Sequence, residues 1–121
     1  MFTGIITDVG EIQSINLDNG KIKISSIFNH EDIDLGASIC CSGICLTVVE
    51  KNKFNDNSYF CFEVSQETIS RSSVKFWKNH TKINLEKSLK FGDEVGGHLV
   101  TGHVDCLGEI ESINKSKNSN V

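Results

Sequence analysis

Apolar residues in this chain alternate with polar ones over short runs, and turn residues break the runs every eight to twelve positions. That period belongs to half-buried β-strands. Lys21 to Phe28 is the clearest case: Ile22, Ile24 and Phe28 share one face, Lys21, Lys23 and Ser25 the other. Before it, Phe2 to Ile15 is predicted as a strand, with Gly4 and Gly10 marking a bulge or close backbone approach. Asn19-Gly20 between the two is a hairpin signal. Asn29 to Ala37 reads as a polar connection and Ser38 to Cys41 as a short strand, with a tight turn at Ser42-Gly43. In the strand Ile44 to Val49, Ile44, Leu46 and Val48 face one way, and Cys45, Thr47 and Val49 the other. Lys51 to Asn57 is predicted as a hairpin loop. Tyr59 to Val64 is the returning strand, with Phe60, Phe62 and Val64 on one face.

Ser65 to Ser73 is the one helical candidate. Ser65 suits the N-cap, and Gln66 and Glu67 suit the first turn. The helix is short and polar, so it is expected to plug a barrel end. Lys75 to Lys82, with the lone Trp77, reads as a solvated linker, and Lys82 to Leu85 as a last short strand. Many short strands with regular turns predict an all-β antiparallel barrel or sandwich.

An internal repeat organises the chain. Val100 to Asn114 lies over Phe2 to Asn16 without a gap, and eight of the fifteen pairs are identical, including Thr3/Thr101, Gly4/Gly102 and Glu11/Glu109. A repeat at this offset is a domain rather than a solenoid unit. The expected organisation is a complete domain over residues 1–95. Residues 96–121 form a linker and the opening strands of a second, incomplete copy. The arm from Leu99 to Ile113 is expected to be an unpaired edge strand that draws in another copy, giving a homodimer.

Composition narrows the function classes. The net charge is −4 and no basic run occurs, which argues against a nucleic-acid surface. No segment approaches transmembrane length and no signal-peptide pattern opens the chain, so no membrane partner is expected. Five cysteines, an odd count, predict reduced thiols in a cytoplasm.

Two stretches could carry chemistry. In Ser42 to Val48, one strand face presents the Cys45 thiol and the Thr47 hydroxyl two residues apart, a spacing that suits two polar contacts to a planar ring. A buried cysteine beside a strand-favouring threonine leaves the same pattern. In Gly96 to His103, His98 and His103 are five residues apart, on opposite faces of a regular strand, so they are not expected to chelate. On pattern alone, surface or turn histidines are the plainer reading of them. Cys40, Cys41 and Cys45 lack a C-x2-C knuckle, so no metal is expected.

Taken in order, MFTGI, GASICCSGICLTV, FEVSQET, NLEKSL and GGHLVTGHVD resemble riboflavin synthase of the alpha-chain type, over essentially the whole chain. The resemblance implies a six-stranded Greek-key barrel with a short capping helix, one of two similar barrels per subunit, assembled as a homotrimer. It implies a dismutation of two 6,7-dimethyl-8-ribityllumazine molecules. One gives a four-carbon unit to the other, yielding riboflavin and 5-amino-6-ribitylaminouracil without a metal or external cofactor. The site it implies joins Phe2, packing on a ring, to Gly4, Ile5 and Ile6. Ser38, Cys45, Leu46 and Thr47 follow from the strands, then Glu63, Val64, Ser65, Gln66, Glu67 and Thr68, and finally Gly102, His103 and Val104. Cys45, His103, Ser38 and, in support, His98 are the catalytic candidates. Ser42 stands where the family usually has Asn or Asp. Members that hold lumazine or flavin without catalysis provide the other reading, a binding barrel.

Overall fold

The structure is a computed structural model that describes residues 1–90, 92–93 and 101–116. Six strands form a closed antiparallel barrel: β1 (Asp8–Asn16), β2 (Lys21–Ser26), β3 (Ser38–Cys41), β4 (Ile44–Phe54), β5 (Asn57–Glu63) and β6 (Lys82–Lys87), in the order β1-β2-β5-β4-β3-β6. β3, β4 and β5 are joined by hairpins; β2 returns beside β5 and β6 beside β3, which is a Greek key. Closure leaves no free edge on this sheet.

Period-two alternation fills the interior. Ile22 and Ile24 of β2, Leu46 and Val48 of β4, Phe60 and Phe62 of β5, and Ile83 and Leu85 of β6 are all buried, and Ile12 and Ile39 join them. The turns follow their chemistry. Ser42 and Gly43 both have positive φ (47° and 85°), as a two-residue turn between β3 and β4 requires. The helix α1 (Gln66–Arg71) starts where expected, with the Ser65 hydroxyl accepting from the Thr68 N–H. Its buried residue is Ile69, and the Gln66 side-chain amide donates to the carbonyls of Leu17 and Asp18. The helix thus closes the barrel end that carries the β1–β2 turn.

Five expectations need correction. The first strand begins at Asp8, not Phe2, because Gly4 at φ 83° breaks the extended run and Phe2 turns into the protein at 1% exposure. The register shift falls between Ile12 and Ser14 rather than at a glycine, although Gly10 does sit in close approach, a Cβ there meeting the Ser25 carbonyl at 2.5 Å. Lys51 to Phe54 is strand, not loop: these residues pair with Asn57 to Phe60 of β5 around a turn at Asn55-Asp56. Trp77 is 6% exposed and belongs to the core, reached through a 3-10 turn over Ser73–Phe76, with its indole N–H on the Ser73 hydroxyl at 3.2 Å. Finally, residues 101–114 form no strand. Thr101 to Val104 lies against the barrel through two backbone bonds, Phe2 N–H to Thr101 O at 3.0 Å and Val104 N–H to Gly43 O at 2.8 Å.

Candidate functional site

The outer face of the β6–β3–β4 wall sets the site. Antiparallel pairing places Cys40 between Glu86 and Cys45, and Ser38 beside Thr47. Paired residues share a face, so these five side chains point away from the core in two rows. Cys45 and Thr47 are exposed, as the parity of β4 predicts. Cys40 is buried although it points outward, because the arm crosses it: its thiol donates to the Gly102 carbonyl at 3.7 Å. That burial, aided by neighbouring Glu86 and Cys45, pushes the Cys40 thiol above its ordinary range.

Beside this wall lies a cleft of about 260 Å³. Gly43, Ile44 and Cys45 form one side, Glu67, Thr68, Arg71 and Ser72 a second, and His103 to Cys106 the third. Three separate elements therefore bring Cys45, Glu67, Thr68, His103 and Val104 together. The Thr68 hydroxyl accepts from Ser65, which holds the Thr68 side chain at the start of α1. The His103 ring meets the Phe2 ring in a T-shaped contact, with centroids 5.5 Å apart at 77°.

Other expected residues lie elsewhere. Leu46 and Val64 are in the core, so only their backbones are available to a ligand, and the buried Phe2 presents its ring to His103. Ile5 lines a separate groove of about 450 Å³ with Thr3, Thr7 and the Glu86–Lys90 segment. Glu63 lines another groove on the β2–β5 side. Ile6, Ser65, Gln66 and Thr47 are exposed, and Ser38 is half-buried. His98 lies outside the described residues. Among the described residues no three His, Cys, Asp or Glu side chains gather as metal ligands.

Glu86, which sequence reasoning did not single out, is 4% exposed. Its carboxylate accepts from Thr3 N–H at 2.7 Å, the Thr3 hydroxyl at 2.8 Å and Gly4 N–H at 2.9 Å. No local pattern marks it, since its cover comes from residues 82 or more positions away. The internal repeat is also visible as geometry. Gly4 and Gly102 have φ of 83° and 75°, and in each copy the N–H two residues after the threonine donates to that threonine's hydroxyl, at 3.2 Å from Ile5 and 3.4 Å from His103.

A family model described as the lumazine binding domain matches residues 3–88. Among curated relatives, riboflavin synthase of Brucella abortus (strain 2308) is 48% identical over 113 residues, covering 91% of this chain and 56% of that protein. Riboflavin synthase of Actinobacillus pleuropneumoniae is 37% identical over 121 residues, covering 98% and 54%. The chain spans about half the length of the curated relatives it matches. Among solved structures, LumP complexed with 6,7-dimethyl-8-(1'-D-ribityl) lumazine superposes with a TM-score of 0.68 at 24% identity, covering 99% of this chain and 66% of that one. LumP complexed with riboflavin gives the same score, covering 97% and 62%. Both likenesses lie in the barrel fold.

Proposed function

The chain belongs to the lumazine-binding domain family, and on that premise we propose that it binds 6,7-dimethyl-8-ribityllumazine in the Cys45–Thr68–His103 cleft and forms part of a riboflavin synthase. The observation that carries the reading is the convergence of a thiol, a hydroxyl and an imidazole from β4, α1 and the 101–104 arm on one cleft. A planar, polar heterocycle needs directional contacts at its edge, and these three side chains supply them.

The reaction is a dismutation. One lumazine gives a four-carbon unit to the other, leaving riboflavin and 5-amino-6-ribitylaminouracil. The 7-methyl group of the substrate is acidified by its conjugated ring, and in this reading His103 takes that proton as a general base. Cys45 is the polar group beside the reacting carbons, with Ser38 and Thr47 on the same face. Backbone groups of Glu67 and Thr68 orient the ring and the ribityl chain from the cleft wall, whereas Ile5 and Glu63 face other grooves. Orientation of two rings removes much of the entropy cost of a bimolecular step. The reaction as proposed needs no metal or added cofactor. We extend the reading to a cytoplasmic setting, supported by five free thiols, and to self-association, which would supply the second pocket. In the same way, residues 1–95 are the first binding barrel and 96–121 open a second one.

A second reading, binding without turnover, has its own support. A dismutation must hold two rings, and a cleft of about 260 Å³ matches one ligand at most. Mapping of amide and side-chain NMR shifts on addition of 6,7-dimethyl-8-ribityllumazine tests the site. Shifts centred on Cys45, Thr68 and His103 are expected. Shifts confined to the Ser14–Glu63 groove on the opposite wall would overturn the assignment.

A further inference from the structure

Glu86 is a buried carboxylate that the proposed chemistry does not use. It sits on the outer face of β6, beside Cys40 and one strand away from Cys45. An ionised carboxylate only accepts hydrogen bonds, and here three donors from two consecutive residues satisfy it. Among the described residues no cation pairs with it. The neighbouring Lys87 ammonium lies over the Phe28 ring instead. Among the described residues, the donors to the Glu86 carboxylate are Thr3 and Gly4.

Those residues lead to the cleft. Thr3 and Gly4 fix Phe2, whose N–H donates to the Thr101 carbonyl and whose ring makes the T-shaped contact with His103. The Thr3 hydroxyl, while donating to Glu86, accepts from Ile5 N–H at 3.2 Å and so sets the path of Ile5 as well. We infer that Glu86 is a positioning residue: its carboxylate clamps Thr3 and Gly4 to the barrel wall and thereby holds Phe2 and His103 at the ligand cleft. This inference deepens the lumazine-binding reading and rests on it for the ligand. The clamp itself does not depend on the ligand's identity.

Glutamine cannot reproduce the clamp. Its amide nitrogen would face either the Gly4 N–H or the Thr3 pair as one donor against another. Threonine-to-valine at position 3 removes only the hydroxyl donor and leaves the backbone bonds. The test uses the 121-residue chain, with Glu86→Gln and Thr3→Val as the variants. Hydrogen exchange and NMR are read without ligand, and lumazine fluorescence titration is read with it. In Glu86→Gln the Thr3 and Gly4 amides are expected to lose protection and the His103 ring resonances to move, while barrel amides such as those of Ile12 and Val64 keep theirs. Lumazine affinity should fall by about tenfold, the size of one lost charge-assisted bond. Thr3→Val should move the same His103 resonances less and cost a few-fold in affinity. A purely structural role would lower barrel protection throughout and leave the Phe2–His103 contact in the folded fraction unchanged. Unmoved His103 resonances in both variants would overturn the inference. If the wild-type chain shows no lumazine response while Glu86→Gln still shifts His103, the clamp stands and the ligand reading fails.

Discussion

Replacing Gly102 by alanine should detach the arm from the barrel without unfolding the barrel. Gly102 has φ of 75°, and a left-handed backbone costs an alanine about 1–2 kcal/mol. The new Cβ would sit 2.6 Å from the Phe2 Cβ and 3.0 Å from the Gly4 nitrogen, both rigid atoms, so contact strain adds to that cost. Against it stand the two backbone bonds that hold Thr101 to Val104, each contributing about 0.5–1.5 kcal/mol net, or about 1–3 kcal/mol together. The penalty is thus as large as the attachment, and the docked population should drop by about tenfold or more. Apparent lumazine affinity should fall in the same proportion, because only the docked form presents His103 to the cleft. The barrel is unaffected in this argument: no described residue of the arm belongs to the core cluster. Fluorescence titration, His103 NMR and thermal unfolding measure the three quantities. Wild-type affinity with an undisturbed Phe2–His103 contact would refute the reasoning. So would a large fall in the unfolding temperature, since it would make the arm part of the barrel's stability.

Trp77→Ala should cost about 3–5 kcal/mol in urea unfolding, as for other buried aromatics; a cost below about 1 kcal/mol would return this segment to the surface. Alkylation at mildly basic pH should label the exposed Cys45 and Cys106 first, while Cys41, whose thiol burial pushes well up, reacts only on unfolding; early labelling of Cys41 by mass spectrometry would contradict its burial. Glu11 titrates below a free glutamate because the Lys82 ammonium, then His80, hydrogen-bonds its carboxylate. With the folded value below the unfolded one of about 4.3, its stabilising contribution is complete at higher pH and lost as pH falls through the folded value. A Glu11 NMR midpoint that Lys82→Met leaves unmoved would disprove that cause.

The barrel was legible where one strand face is buried and the other wet. Ile22/Ile24, Leu46/Val48 and Phe60/Phe62 announce their strands by alternation, and Asn19-Gly20 and Ser42-Gly43 announce their turns. The second half of β4 was not legible. Beyond Val48 both faces of β4 are largely exposed, so Glu50 to Phe54 carries no apolar period. Trp77 was misread because a single 3-10 turn is too short to show periodicity among its lysines. In the site, the parity of Cys45 and Thr47 came from β4 alone, whereas Glu86 depends on cover from the far end of the chain. Local pattern holds no trace of such a contact. The Thr-Gly repeat was read as two copies of a strand, and the fold instead shows two copies of one turn, at Gly4 and Gly102, side by side.

The most direct test of the central claim is to titrate the purified chain with 6,7-dimethyl-8-ribityllumazine, following its fluorescence and the growth of riboflavin absorbance. The account predicts a saturable fluorescence change. Riboflavin formed alongside it would mean that copies of the chain assemble a competent pair of pockets, and its absence would mark a binding barrel. A chain that circular dichroism shows to be folded, yet that leaves lumazine fluorescence unchanged at every concentration, would contradict the claim.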